Sequence, residues 1–491
     1  MAPAVRLGSG AGVSSVIGSA ADIVRQIGTG ARSAASVLAE TKDLIRARNP
    51  DLNCFTATTF ERAEREAAAI DALQAQGKPL PPLAGVPYAV KNLFDIEGMV
   101  TLAGAKVNAS NAPASTDATI VARMQRAGAV LVGALNMEEL AYGFTTENPH
   151  YGTTRNPHDR ARGAGGSSGG SAAAVGAGML PISLGSDTSG SIRVPASLCG
   201  VFGLKPTYGR LPRTGTFPFV NSFDHVGPFG AGVSDLALSY DAMQGPDPQD
   251  PACAQRAIEP VGTVLTLPPG IRIGILGGWF HEWAGPAARR AVQLAATALN
   301  ASEWTEIKGA EAARAAAYII TGAEGGALHR PRLIERYGEF GPASRARLVA
   351  GSLIPASWVV QAQRVRQSVY REALELFERY DLLIAAAAPA VAPLVGQETM
   401  EINGRSIPAK AGLGVLTQPI SCIGLPVCTV PLWPGSNERP PEKRQPEQSL
   451  PLGVQLIGAP WREDLCLGAA RALEQAGVAK FRLPLAYGNT A

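Results

Sequence analysis

Residues 163–210 read GAGGSSGGSAAAVGAGMLPISLGSDTSGSIRVPASLCGVFGLKPTYGR. Glycines interleaved with serines expose backbone N–H groups and let the chain approach a ligand closely. The small-residue run Ser171–Met179 predicts a tightly packed helix, and LPISLGSD (180–187) predicts a buried strand. Two familiar Gly-rich chemistries fit poorly. A phosphate cradle needs a Lys after its glycines, and none follows; the dinucleotide pattern fails because Ser168 stands at its third glycine. A nucleophile elbow, GxSxG, matches twice, on Ser167 and on Ser168. That motif needs a strand just before it, whereas TTRNPHDRARGA is polar and loop-like.

Outward from this block the chain alternates helix and apolar strand. Residues 20–48, 59–77 and 116–128 predict helices, with Gly28 and Gly30 interrupting the first. AVLVGALN (129–136) is a short buried strand, and the segment around Lys91 reads as a strand leading into a turn. Residues 143–170 form a long polar loop of the kind that usually carries function. Ordinary helix and strand patterns fill 232–330, and 354–380 is one long helix followed by DLLIAAAA. PVCTVPLW and PLGVQLIG read as two paired strands around an exposed insertion, Pro434–Leu450. The alternation predicts a layered α/β fold. No linker separates clear halves, so 19–491 is expected to be one large domain after a loose N-terminal extension, 1–18.

Composition narrows the function. The 491 residues carry 44 Lys+Arg against 41 Asp+Glu, too even a balance for a nucleic-acid partner. Neither long uncharged run, Gly163–Ser186 or Ala411–Asn437, is apolar enough to span a membrane. The N-terminus lacks the apolar region of a signal peptide. The 6 Cys are scattered and read as buried thiols in a reducing, cytoplasmic setting. The 5 His include no metal-binding spacing, and no metal or other cofactor is expected.

The block as a whole, GGSSGGS, then a small-residue helix, then GSDTSGSIRVP, resembles the signature of the amidase signature family. PLAGVPYAVKN upstream and ISCIGLPVCTVP and PLGVQLIG downstream extend the resemblance from about residue 20 to residue 480. The resemblance implies a central mixed β-sheet covered by helices on both faces, and a Ser–cis-Ser–Lys triad. Ser191 would be the acyl-forming nucleophile. Ser167, after a cis peptide from Gly166, would relay the proton, and Lys91 would be the base. The N–H groups of Thr188, Ser189, Gly190 and Ser191 would line an oxyanion hole. Asp187 and Arg193 would orient the turn that carries Ser191. Ser189 stands where many members have Gly, a mild departure since only the backbone is used.

The residues agree with that chemistry. A hydroxyl is a poor nucleophile until a positioned base removes its proton. A lysine serves at neutral pH only if burial lowers its pKa. Lys91 lies among Val86, Tyr88, Val90, Leu93 and Phe94. Taken alone it would read as a snorkelling surface lysine; the motif reverses that. Ser168 and Ser171 read as loop and cap hydroxyls, and His150 and His158 as bystanders.

Outside the triad, NLFDIEGMVTLAGAK, LNMEELAYGFTTENPHYGTTRNPHD, DAMQGPDPQDP and LGGWFHEWAGPAARRA resemble a branch of the family that hydrolyses small linear urea-type amides, of the carboxybiuret kind, with release of ammonia. Such a substrate, small and anionic, needs a donor-rich pocket. Tyr142, Thr145, Thr146, Asn148 and Gln418 are candidates, with an Arg that the sequence does not single out. The resemblance also implies a homodimer and, as a further partner, a small accessory protein. Other small-amide hydrolases (indoleacetamide or general amidases) and the glutaminase component of tRNA-dependent amidotransferases stay open as alternatives.

Overall fold

The computed structural model describes residues 17–262, 265–435 and 449–487. Its centre is an 11-stranded sheet. From one edge the order is Phe55–Thr58, Val130–Leu135, Pro87–Lys91, Ile182–Asp187, His225–Gly230, Phe202–Lys205, Val427–Leu432, Leu452–Gly458, Leu382–Ala386, Ile273–Leu276 and Glu303–Thr305. The sheet is mixed. Pro87–Lys91 runs parallel to both its neighbours, whereas the middle strands from Ile182–Asp187 to Leu382–Ala386 pair antiparallel. The central strands are apolar along most of their length and buried on both faces, as expected when helices cover each side. Arg193–Cys199 covers one face of the middle strands. Val233–Met243 and Glu463–Gln475 cover the other. Gly453 and Gly458, of opposite parity on one strand, show the two layers: a Cβ would meet Ser197 at the first and Cys466 at the second.

The helix expected over 20–48 is two, Ala20–Gly28 and Ala34–Leu52, parted where the glycines stand. The second runs on through Pro50, which falls in its last turn and removes only one terminal hydrogen bond. The predicted strands at 129–136, 180–187 and around Lys91 are present, and the two strands flanking the insertion pair in antiparallel register. Most of that insertion, 436–448, lies outside the described residues, as do 1–16 of the expected extension; Ile17 is already buried in the core.

The helical pattern towards the end of 232–330 is one 27-residue helix, Ala310–Arg336. Gly322, Gly325, Gly326 and Pro331 make it look broken. The glycines instead let Pro342–Ser352 cross at backbone contact. A Cβ on Gly326 would collide with the Ser352 nitrogen. No described helix is long and apolar enough to cross a membrane. All six cysteines are free and buried.

Candidate active site

Lys91 ends its strand, and Ser186 and Asp187 end the parallel neighbour. In open α/β sheets, sites form beyond the carboxyl ends of such strands. The Lys91 side chain is wholly buried. Its Nζ donates to Ser167 Oγ at 2.7 Å and to Ser186 Oγ at 2.8 Å. Burial pushes its pKa down to about 7, against the opposing pull of Asp187, Asp224 and Glu138. The ammonium is thereby brought within reach of deprotonation at neutral pH, with two hydroxyls as its hydrogen-bond partners.

Ser167 follows a cis peptide bond from Gly166. The loop 143–170 holds it in place. Glu138 N–H donates to the Ser167 carbonyl at 3.0 Å. Thr146 Oγ1 donates to the Gly165 carbonyl at 2.8 Å and accepts from Gly169 N–H at 3.1 Å. A Cβ on Gly166 would meet the Thr145 and Thr146 nitrogens within 3 Å, so only glycine fits there. Ser168 and Ser171 lace the helix Gly169–Gly176 to the strand Ile182–Asp187. Their hydroxyls donate to the Ser186 and Leu184 carbonyls, each at 3.0 Å.

The turn carrying Ser191 is built around Asp187. Its carboxylate accepts from Gly190 N–H at 2.7 Å and Ile192 N–H at 3.1 Å. It also pairs with the fully buried Arg193, Nε to Oδ2 at 3.0 Å. Burial alone would raise the Asp187 pKa; the Arg193 guanidinium outweighs it and holds the carboxyl well below the usual range. Arg193 donates further to the Thr417 carbonyl, to Gln455 and to Ser421, tying the turn to the helix Gln418–Ile423 and to the strand Leu452–Gly458. Gly190 has φ +136, and a Cβ there would collide with Thr417 Oγ1. Thr188 Oγ1 donates to the half-buried Asp224 at 2.6 Å.

This geometry corrects one expectation. The Gly190 N–H is engaged by Asp187 and is not free for a ligand. The N–H groups of Thr188, Ser189 and Ser191 have no acceptor among the described residues. The expected set of four donors therefore narrows to three.

Ser191 opens onto a cavity of about 260 Å³, together with Thr188, Ser189, Tyr142, Phe219, Tyr318, Thr321, Arg347, Lys410 and Gln418. Of the pocket residues expected from sequence, Tyr142 and Gln418 line it. Thr145 does not: its N–H and hydroxyl both donate to the buried Glu138 at 3.2 Å. Thr146 and Asn148 are likewise buried supports, Asn148 donating to the Gly104 and Met137 carbonyls. His150 and His158 lie elsewhere, bonded to Glu139 and to the Cys199 carbonyl. A larger cavity of about 790 Å³, beside Phe280, Arg289 and Trp304, contains none of the serines or Lys91. Chemistry rather than size therefore locates the site.

Sequence reasoning missed Ser186, Arg347, Thr321 and Tyr318. The Arg347 guanidinium sits 4.8 Å over the Tyr142 ring and donates to the Tyr142 carbonyl at 2.8 Å. It pairs with no carboxylate among the described residues. Lys410, the other cation lining the cavity, pairs with Glu147 at 2.9 Å. Among the described residues, no carboxylate lines the cavity.

Comparison with known proteins agrees with the sequence signature. The Amidase family profile matches residues 36–467. The AtzE subunit of 1-carboxybiuret hydrolase from Pseudomonas sp. (strain ADP) is 54% identical over 94% of this chain and 99% of its own. A glutamyl-tRNA(Gln) amidotransferase subunit from Moorella thermoacetica is 37% identical over 88% of this chain and 91% of its own. Among solved structures, an s-triazine catabolic enzyme described as part of an unexpected vestigial protein complex superposes with a TM-score of 0.91. It shares 53% identity and covers 94% of this chain and 100% of that one. A bacterial aryl acylamidase superposes at 0.83 with 26% identity, over 94% and 96% of the two chains. The chain thus belongs to the amidase signature family and is a hydrolase of carbon–nitrogen bonds in linear amides.

Proposed function

We propose that the protein cleaves a small linear urea-type amide, of the 1-carboxybiuret kind, through a Ser191–Ser167–Lys91 triad and an acyl-enzyme. The hydrogen bond of 2.7 Å from the wholly buried Lys91 to Ser167 carries this reading. Neutral Lys91 takes the Ser167 proton as Ser167 takes that of Ser191. Ser191 Oγ attacks the terminal carbamoyl carbon, and the carbamoyl oxygen becomes an oxyanion among the N–H groups of Thr188, Ser189 and Ser191. The relay then runs backwards and protonates the leaving nitrogen. The C–N bond breaks, ammonia departs, and Ser191 holds the acyl group as an ester. Water, deprotonated through the same relay, releases the acid and restores the serine.

The cavity chemistry supports an anionic substrate. Its charged lining is cationic, and the Arg347 guanidinium has no carboxylate partner there. A guanidinium on the cavity wall that pairs with no carboxylate favours a ligand carboxylate. This supplies the arginine that the sequence left unchosen. The high identity to a 1-carboxybiuret hydrolase supports the same substrate class. Cytoplasmic location, a homodimer and a small accessory protein belong to this reading; a solved relative described within a protein complex supports the last.

The amidotransferase relative at 37% identity favours a second reading, ammonia delivery from glutamine. Ammonia release by the purified chain from carboxybiuret, biuret, indoleacetamide and glutamine separates the two. Turnover of carboxybiuret well above the others is expected. Glutaminase activity alone would overturn the hydrolase reading.

A further inference from the structure

Gln418 lines the cavity and is 3% exposed, yet its carboxamide is only half used inside the protein. Arg314 Nε donates to it at 3.0 Å. A guanidinium N–H cannot accept, so the amide atom facing Arg314 is the oxygen. The NH₂ group is therefore turned away from Arg314, and no acceptor among the described residues takes it. Arg314 is itself fixed: its guanidinium lies 5.0 Å over the Tyr318 ring and 6.0 Å over that of Trp279. Trp279 is tied down by its indole N–H, which donates to the Val415 carbonyl at 3.0 Å. A second observation points to the same space. Thr321, 6% exposed and on the cavity wall, has a buried hydroxyl with no hydrogen-bond partner. A hydroxyl left without a partner on a residue of the cavity wall is one that a ligand's polar atom would satisfy.

We propose that Gln418 and Thr321 form a subsite for a second carbonyl of the substrate, distinct from the carbonyl that Ser191 attacks, and that Arg314 is the positioning residue that presents the Gln418 donors to it. The substrate class is then acyl ureas and biuret-type amides, in which two carbonyls share one nitrogen. A simple aliphatic amide offers nothing to these donors and leaves them unpaired. Such unpaired groups discriminate strongly against a ligand that lacks the partner. This inference rests on the amide-hydrolase reading and adds the chemical feature that the site selects.

The test compares biuret with butyramide, a chain of similar length with one carbonyl. In Gln418→Glu, which replaces the donor by an acceptor, the ratio of kcat/KM for biuret over butyramide is expected to fall about tenfold to a hundredfold. Thr321→Val keeps the shape and is expected to lower the ratio by about tenfold. Arg314→Met, which frees the carboxamide to rotate, should lower it mainly through the KM for biuret. A ratio within about twofold of wild type in all three would overturn the proposal. Biuret binding to the Ser191→Ala protein, measured by calorimetry, separates the two levels. Binding that weakens with Gln418→Glu while the wild type releases no ammonia would sink the hydrolase reading and leave the subsite standing. Binding indifferent to Gln418→Glu, or no binding, would sink the subsite.

Discussion

Two lysines of the same sheet are completely buried. Lys91 ends Pro87–Lys91 and Lys205 ends Phe202–Lys205. Burial pushes both pKa values down to about 7, with Arg193 adding to the effect at Lys205. Their surroundings differ in one respect. Lys91 meets two hydroxyls, Ser167 and Ser186, whereas Lys205 Nζ donates to the Pro206 carbonyl at 2.9 Å. A carbonyl has no proton to give. A depressed pKa therefore does not define a base; a depressed pKa beside a proton donor that leads to a nucleophile does.

The largest effect expected is at the proposed nucleophile. Ser191→Ala should lower kcat by about 10⁴-fold or more while the melting curve stays close to wild type. Next comes the pair of lysines. Lys91→Met should lower kcat by about 10²- to 10⁴-fold, the range typical of a general base. Lys205→Met should leave kcat within about threefold, since its Nζ meets a carbonyl and no hydroxyl, and an apolar side chain of similar volume is usually tolerated. Comparable losses at both positions would break the contrast. Ser186→Ala removes one of the two hydroxyls on Lys91 but none of the relay, and a loss of about tenfold is expected in steady-state assays.

The smallest effect separates the lysines by pH. As the proposed base Lys91 must be neutral, so kcat/KM should rise with pH through a midpoint near 7. That midpoint should stay in place in Lys205→Met. Stability follows a related rule. The folded value of each lysine lies below its unfolded value of 10.5, so the unfolded chain holds the extra proton between about pH 7 and 10.5. Stability therefore increases with pH across that window, and the gain is absent below pH 7. Denaturant titrations at pH 7.5 and 9.5 should show a shallower rise in Lys205→Met than in wild type. An equal rise would contradict burial of an uncharged Lys205.

The parts of the site that were legible in the sequence are those carried by contiguous motifs. Lys91, Ser167 and Ser191 of the proposed triad each stand within a run whose spacing is local, and the strands that end at Lys91 and Asp187 show as apolar segments. What the sequence hid came from distance. Arg347, Arg314, Thr321 and Tyr318 lie on Ala310–Arg336 and Pro342–Ser352, which reach the cavity only because close-packed glycines allow those helices to cross. Thr145 looked like a pocket donor because it follows Tyr142 in the loop. The buried Glu138, seven residues upstream, turns it inward. The Gly190 N–H looked free because nothing in a run of residues shows that Asp187 folds back onto it. Ser186 passed as an ordinary strand residue. Its side chain points at Lys91 only because the two strands run parallel in that register.

The most direct test of the triad is to trap the acyl group. Wild-type enzyme mixed with a slowly turned-over amide or activated ester is quenched in acid, digested and mapped by fragment mass. The account predicts an acyl adduct on Ser191, absent from Ser191→Ala and formed far more slowly in Lys91→Met. An adduct on Ser167, or full turnover with Ser191 unmodified, would contradict it.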